Sequence, residues 1–375
     1  MKTDLIPLAP PAPGHAPTLK VHRFGQAGSR PKAYVQAALH ADEVPALLVA
    51  HHLRLQLQAL EDAGQISGEV VLVPYANPLG LAQHPSGQHQ GRFDVNDGLN
   101  FNRHHPDVAQ AAGDALQGRL GQDAQANVRM IQVALGVAAA ALHSPHTTQD
   151  LKHKLVALAI DADVVLDLHC DSQALMHLYA LTPHADLAAE LGALLGARAV
   201  LLATDSGDSP FDEACSRPWL LLQERFAPLP VPPACFSATV ELRGEADTDH
   251  MLAKLDASAI IEFLRRRGLI AGAPAPDFAA PPIALCQPTP LAGSEPISAP
   301  SAGVVVFHRQ PGDMIAAGDV VAEVVDVDTG AVHALRAESA GLLYARIATR
   351  WATPGKRLCK IAGTSLARTG RLLSA

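Results

Sequence analysis

The sequence predicts an α/β sandwich with a largely parallel or mixed sheet, followed by a small all-β domain. Residues from about 17 to 270 alternate between short apolar runs of strand length and longer Ala/Leu-rich runs. Strands interleaved with helices are typical of an α/β fold. Residues 272–300 are rich in Pro and Ala with few charges, and short strands separated by Pro-Gly-Asp and Gly-Asp turns follow. We therefore predict three segments, which are residues 1–271, a linker of residues 272–300 and residues 301–375.

The individual elements follow from the hydrophobic pattern. Continuous apolar runs too short for a helix predict buried strands, at residues 33–39, 69–74, 163–168, 200–203 and 237–242. Ala/Leu-rich stretches predict helices at residues 44–60, 126–160, 185–197 and 247–266. A turn near Ser144 and Pro145 interrupts the second of these helices, and Pro45 stands in the first turn of the first helix, where proline is tolerated.

Composition argues against several classes of partner. The formal net charge is -8, no dense Lys/Arg run occurs, and aromatic residues make up 4% of the chain. Neither a phosphate backbone nor stacked bases are therefore expected to bind. No apolar stretch approaches the roughly 20 residues that span a membrane, and the five cysteines are scattered without a CxxC pair. We expect a soluble, cytoplasmic protein that binds neither nucleic acid nor a membrane.

Residues that typically bind metals stand at the ends of two predicted strands. His40 and Glu43 follow the strand at 33–39 directly before a helix, and Asp167 and His169 end the strand at 163–168. Imidazole nitrogens and a carboxylate oxygen are the ligands of a catalytic zinc ion, which keeps one position open. Asp167 and His169 point to the same side of their strand, so Asp167 can hold a ligand histidine by its other ring nitrogen. A His-x-x-Glu pair alone also arises by chance in a chain with 18 histidines.

Further motifs follow in a recognisable order along the chain. The complete set is His40-Ala41-Asp42-Glu43, Gly91-Arg92-Phe93-Asp94, Asn100-Phe101-Asn102-Arg103, Asp167-Leu168-His169 and Thr239-Val240-Glu241-Leu242. In this order the motifs resemble the succinylglutamate desuccinylase/aspartoacylase family, a branch of the zinc-carboxypeptidase-like hydrolases. The similarity covers roughly residues 30 to 270, and the tail with its Pro-Gly-Asp turn also fits. One departure is Asn100-Phe101, where Asp-Leu is more usual.

The resemblance implies a fold, a cofactor and a reaction. The fold would be a zinc-carboxypeptidase-like α/β/α sandwich with a mixed sheet, with residues 1–271 as its catalytic domain. One Zn2+ per chain would be held by His40, Glu43 and His169. The reaction would be hydrolysis of the linear, non-peptide amide bond of a small N-acyl amino acid or a related N-acyl amine.

The resemblance also implies roles for residues outside the metal site. Glu241 would be the general base, Arg92 would serve catalysis and substrate binding, and Asn102 and Arg103 would bind a substrate carboxylate. From the residues alone, Glu241 is equally well explained as a strand-end glutamate paired with Arg243. Two other functions stay open. A metallocarboxypeptidase would cleave peptides several residues long, and a non-catalytic zinc-binding scaffold would show no chelator-sensitive hydrolysis.

The β-rich C-terminal segment resembles the barrel-sandwich fold of lipoyl and biotinyl carrier domains. Such carriers present a modifiable lysine at a hairpin tip, and the matching hairpin at residues 325–330 has none. A swinging-arm carrier is therefore not expected. We expect this domain either to narrow the entrance of the cleft or to form the interface of a homo-oligomer.

Overall fold

The computed structural model describes residues 1–365 and 367–373. Its helices are α1 (Val44–Asp62), α2 (Pro78–Leu81), α3 (Ala109–Leu116), α4 (Ala124–Ala140), α5 (Thr147–Ala159), α6 (Ala185–Leu195), α7 (Phe211–Arg225) and α8 (His250–Arg266). The strands of the first half of the chain are β1 (Lys2–Pro7), β2 (Thr18–Gly25), β3 (Lys32–Ala37), β4 (Glu69–Val73), β5 (Val164–Asp171), β6 (Gln173–Ala174) and β7 (His177–Leu181). Those of the second half are β8 (Ala199–Ala203), β9 (Phe236–Gly244), β10 (Pro288–Pro290), β11 (Glu295–Ser298), β12 (Gly303–Phe307), β13 (Met314–Ile315), β14 (Val320–Val325), β15 (Val332–Arg336), β16 (Gly341–Arg346), β17 (Trp351–Ala352) and β18 (Arg357–Ala362).

The chain divides into two compact units that are not consecutive in sequence. The first unit comprises residues 1–169, 208–239 and 249–282. The second unit comprises residues 170–207, 240–248 and 283–375. This division differs from the three consecutive segments expected from composition, because β5 and β9 each run through both units. The boundaries at residues 271 and 300 stay a prediction.

In the first unit the sheet is mixed, as predicted. Its strand order is β1-β2-β4-β3-β5-β9. β2 is antiparallel to β1 and to β4, whereas β3 is parallel to both β4 and β5. Every residue of β3 and β4 is buried, as is usual for the inner strands of a sheet with helices on both faces. The strands and helices predicted for this part of the chain are confirmed within a few residues at each end.

Helices cover this sheet in two groups, which makes the first unit an α/β/α sandwich. Tyr34 of β3 joins one buried cluster with side chains of α3, α4, α5 and α7, among them Leu155, Phe211 and Trp219. α1 packs against α8 and also contacts β2, β3 and β4. Helix α7 was not predicted, because Pro218 lies inside it and proline removes a helical hydrogen bond.

The second unit contains the end of the mixed sheet and two antiparallel sheets. This part of the mixed sheet has the order β9-β7-β8-β10, with β7 and β10 both parallel to β8. One antiparallel sheet has the order β11-β18-β16-β13, with β6 paired to β16, and the other has the order β15-β14-β12-β17. A buried cluster that includes Val305, Val324, Leu343 and Ile361 draws on both of them. The predicted all-β C-terminal region is thus confirmed. No helix among the described residues is long and apolar enough to cross a membrane.

The stability of the first unit should depend on the cluster around α5. Leu155→Ala removes a fully buried side chain of this cluster and should lower the free energy of unfolding by about 2–5 kcal/mol, because it leaves a cavity. Leu55→Ala on α1 is the matched control, since Leu55 is 45% exposed, and should cost well under half as much. Urea denaturation followed by circular dichroism measures both, and equal losses would contradict this account of the core.

Candidate metal centre

His40 and Glu43 lie in the turn between β3 and α1, and His169 lies on β5. Because β3 and β5 are parallel neighbours, with Ala37 opposite Leu168, their carboxyl ends lie side by side. The chain turns sharply after β3, where Ala38 adopts a left-handed conformation with φ 56°. α1 then begins directly after Glu43. The strand pairing thus brings together side chains that are more than 120 residues apart in sequence.

The three side chains converge on one point. His40 Nδ1 lies 2.9 Å from Glu43 Oε1, and His169 Nδ1 lies 2.7 Å from Glu43 Oε2. One ligand atom from each residue lies within 4.8 Å of the others, and all three residues are buried. Two imidazole nitrogens and one carboxylate oxygen are the donors of many catalytic zinc sites. The residues present therefore fit a divalent metal ion.

Hydrogen bonds of Asn100 determine which nitrogen of His40 is available to a metal. Asn100 Oδ1 accepts the backbone N–H of Asn102 at 2.8 Å, which identifies this atom as the amide oxygen. The same oxygen lies 2.9 Å from His40 Nε2. His40 Nε2 must therefore carry a proton and donate it to Asn100, which leaves the Nδ1 lone pair directed toward Glu43.

A buried series of polar side chains orients His169 in the same way. His169 Nε2 donates to Asp167 Oδ2 at 2.9 Å, and Asp167 Oδ1 accepts from Gln36 Nε2 at 2.9 Å. Gln36 Oε1 in turn accepts from the Tyr34 hydroxyl at 2.8 Å. All four residues are almost completely buried. A carboxylate behind a ligand histidine holds the ring and increases its basicity, so Asp167 has the geometry expected from the sequence.

The pKa values of the three candidate ligands are shifted by burial and by their charged neighbours. Burial, with the nearby Arg92 guanidinium, lowers the pKa of His40 to about 4. Burial alone would raise the pKa of Glu43, but His169 and His40 hold it well below its usual value. Burial would likewise lower the pKa of His169, yet the Asp167 and Glu43 carboxylates hold it well above its usual value. A metal ion that binds here must displace the proton on His169 Nδ1.

Arg92 reaches the same carboxylate from a different loop. Its Nη2 donates to Glu43 Oε1 at 2.9 Å, and its side chain is 35% exposed. The preceding Gly91 lies so close to the turn that follows β3 that a Cβ atom would come 2.2 Å from Asp42 N and 2.6 Å from Ala41 C. Only glycine allows this approach. The loop of Arg92 is thus packed directly on the turn that carries His40 and Glu43.

Asn102 and Arg103 are both buried. Asn102 Oδ1 accepts the backbone N–H of Phe211, the first residue of α7, at 2.8 Å, and Asn102 Nδ2 lies 3.2 Å from His169 Nε2. Arg103 Nη1 donates to the backbone oxygen of Asn102 at 2.6 Å. Asn102 therefore lies close to His169, Arg103 contacts the backbone of Asn102, and substrate binding by the pair stays a prediction.

Glu241 belongs to the second unit, where it lies on β9 and is partly buried. Burial, the neighbouring Tyr344 and then Glu241 raise the pKa of Tyr179 well above its ordinary value. Lys360 of β18 forms an ion pair with Asp171 in the same unit. Glu241 therefore lies among ionisable side chains of its own unit, and its role as a general base stays a prediction.

Three residues that contact the site were not identified from the sequence. Asn100 was noted only as a departure from the usual Asp, whereas it supports His40. Tyr34 and Gln36 lie on the same side of β3 as a consequence of strand alternation. A glutamine within a fully buried strand was the available signal, because a buried amide requires a polar partner.

Comparison with known proteins agrees with these features. Residues 29–218 match the model of the succinylglutamate desuccinylase/aspartoacylase catalytic domain, which is about half of the chain and includes all three ligands. No curated protein matches the chain. A structure from Shewanella amazonensis assigned to this family is 26% identical over 96% of this chain and 98% of its own, with a TM-score of 0.82.

Two further solved structures extend the comparison. One from Shewanella frigidimarina with the same assignment is 25% identical over 97% of both chains, again with a TM-score of 0.82. The product-bound ectoine utilization protein EutE (DoeB) from Ruegeria pomeroyi is 15% identical over 96% of this chain and 94% of its own, with a TM-score of 0.64. At that identity the comparison shows a similar fold and nothing further.

The support of His40 by Asn100 leads to a prediction for metal binding. Asn100→Ala removes the acceptor of His40 Nε2–H and should weaken zinc binding roughly 10- to 100-fold, as removal of such supporting groups does in other sites. Asn100→Asp keeps the acceptor and adds a charge, so its zinc affinity should equal or exceed that of the wild type. Asn96→Ala, in the same loop but exposed, is the control. Competition with a chromophoric chelator gives all four dissociation constants, and equal values for Asn100→Ala and the wild type would contradict this role.

Proposed function

The chain belongs to the succinylglutamate desuccinylase/aspartoacylase family, and we propose that it is a zinc-dependent deacylase. Its substrate would be a small N-acyl amino acid or a related N-acyl amine with a carboxylate. The products would be a carboxylic acid and a free amine. The observation that carries this proposal is the convergence of His40 Nδ1 and His169 Nδ1 on the Glu43 carboxylate.

The proposed metal is zinc, one per chain, held by His40, Glu43 and His169. Zinc bound there would act as a Lewis acid toward the amide carbonyl and would make a water molecule easier to deprotonate near neutral pH. The side chains of the protein orient the candidate ligands. Asp167 and Asn100 hold the two imidazole rings by their Nε2 atoms and so direct each Nδ1 atom toward Glu43.

Glu241 is proposed as the general base. Hydrolysis of an amide requires removal of a proton from the attacking water and delivery of a proton to the leaving nitrogen. One carboxylate can perform both transfers, and such general catalysis contributes about 10²–10⁴-fold. One observation supports the assignment, since Glu241 stands in the Thr239-Val240-Glu241-Leu242 motif.

Arg92 is proposed to bind the substrate and to stabilise negative charge that develops on the carbonyl oxygen. A guanidinium offers a rigid pair of donors that suits a carboxylate or an oxyanion. Arg92 is the most exposed of the three polar residues of this group, which leaves part of its donor fork accessible. Asn102 and Arg103 are proposed to complete the site of the substrate carboxylate, and their burial would exclude water from that contact.

Substitution of Glu241 tests the proposed chemistry. Glu241→Gln keeps the size of the side chain but cannot accept the proton, so kcat should fall by about 10²–10⁴-fold while zinc content stays at one per chain. Glu245→Gln, a nearby and exposed position, should retain wild-type activity. The assay is hydrolysis of N-acetyl and N-succinyl amino acids by zinc-loaded protein. Wild-type turnover by Glu241→Gln would remove it as the base.

A substrate panel tests the carboxylate requirement and the alternative of a carboxypeptidase. The wild type should hydrolyse N-acyl amino acids at least tenfold more efficiently, by kcat/KM, than the matching N-acyl amines without a carboxylate. Arg92→Met should reduce this ratio, whereas Arg119→Met, at an exposed position on the loop after α3, should leave it unchanged. Preferential turnover of peptides several residues long would favour a carboxypeptidase instead.

A further inference from the structure

One buried lysine contacts the loop that supports both ligand histidines. Lys152 lies on α5 and is only 3% exposed. Its Nζ donates to the backbone oxygen of Asn100 at 2.8 Å and to the backbone oxygen of Arg103 at 2.7 Å. The two carbonyls lie at the two ends of the segment formed by residues 100–103, here called the ligand-support loop. A single ammonium group therefore joins both ends of this loop.

Burial of this ammonium is unfavourable unless its hydrogen bonds compensate for the lost water. Both bonds go to neutral carbonyls of the ligand-support loop rather than to a carboxylate. Burial lowers the pKa of Lys152 to about 8; the negative charges of Asp97 and Asp94 oppose this shift, and Arg103 adds to it. The protein thus places an ammonium group that is unfavourable to bury where it donates to two backbone carbonyls of this loop.

The ligand-support loop connects Lys152 to the metal ligands. Asn100 Oδ1 accepts from His40 Nε2 and from the backbone N–H of Asn102. Asn102 Nδ2 lies 3.2 Å from His169 Nε2. A displacement of the loop by a few tenths of an ångström would therefore alter the surroundings of both imidazole rings. Lys152 of α5 donates to the backbone at both ends of this loop.

We infer that Lys152 is a positioning residue of the metal site, which acts through the ligand-support loop and not by contact with metal or substrate. The inference rests on the proposed function, since it concerns the metal of that site. It predicts that the loss of the Lys152 hydrogen bonds lowers metal affinity. A residue that only stabilises the fold would lower the stability and leave the metal affinity of the folded protein unchanged.

Zinc affinity of the full chain distinguishes these two roles. Lys152→Met keeps the length and apolar stem but removes the donors, and should weaken zinc binding roughly 10- to 100-fold. Lys152→Arg retains donors for both carbonyls and should restore most of the affinity. Lys154→Met is the matched control, because Lys154 lies on the same helix but bonds to Asp150 and to the Pro7 backbone. Its zinc affinity should equal that of the wild type.

A double substitution tests the route through the loop. If Lys152 acts through Asn100, the effects of the two substitutions should not be additive, because both residues belong to one network. The Asn100→Ala/Lys152→Met protein should then bind zinc no more than a few-fold more weakly than Asn100→Ala alone. Fully multiplicative effects would overturn this route. Dissociation constants from chelator competition, with circular dichroism to confirm folding, supply the values. If Lys152→Met does not fold, Lys152→Leu, which also lacks a donor, replaces it in both comparisons.

The outcomes separate this inference from the proposed function. Wild-type zinc affinity in folded Lys152→Met, or an equal loss in Lys154→Met, would overturn the positioning role. A wild type that binds zinc but hydrolyses no N-acyl substrate would refute the proposed deacylase, while the zinc affinities would still decide the role of Lys152. A wild type that binds no zinc would refute both.

Discussion

The candidate site depends on one carboxylate. Glu43 Oε2 accepts a hydrogen bond from His169 Nδ1, Glu43 Oε1 accepts one from the Arg92 guanidinium, and the Nδ1 lone pair of His40 faces Oε1 at 2.9 Å. A buried carboxylate is strongly unfavourable unless it is paired. Two donors from separate parts of the chain, His169 and Arg92, compensate for that cost. The arrangement therefore holds the turn after β3, the end of β5 and the loop of Arg92 together at one point.

The two ligand histidines are oriented by different kinds of partner. His169 has the Asp167 carboxylate behind it, whereas His40 has the neutral amide of Asn100. A charged partner makes an imidazole a stronger donor to a metal than a neutral partner does. The site is thus electrostatically asymmetric. At the position of Asn100, where the family more usually has Asp, the partner of His40 Nε2 in this chain carries no charge.

The hydrogen-bond network around the site extends beyond the three candidate ligands. Tyr34 and Gln36 continue the polar series behind Asp167 along the interior of the sheet. The segment of residues 100–103 joins His40, His169 and the start of α7, and α5 contacts this segment through Lys152. Buried networks of this kind stabilise a single arrangement only when each member has its partner. Precise placement of the ligands is therefore a property of several elements of the first unit.

The sequence by itself determined the mixed α/β fold, the all-β C-terminal region and the residues that could hold a metal. These features follow from local patterns, since apolar runs and strand ends can be identified without knowing which residues are close in space. The Asp167–His169 contact was equally accessible, because strand alternation places both side chains on one side. Helix α7 was not predicted because Pro218 lies inside it, and a proline within a segment argues against a helix.

Only the tertiary structure decided which groups support the ligands. Asn100 and His40 are 60 residues apart, Gln36 and Asp167 are 131 apart, and Lys152 and Asn100 are 52 apart. No local pattern encodes such pairs, because they arise when parallel strands and the loops between them are packed together. The compact units likewise differ from the composition boundaries, since β5 and β9 run through both. The sequence indicates which atoms can bind a metal, and packing determines the hydrogen bonds that direct those atoms to one point.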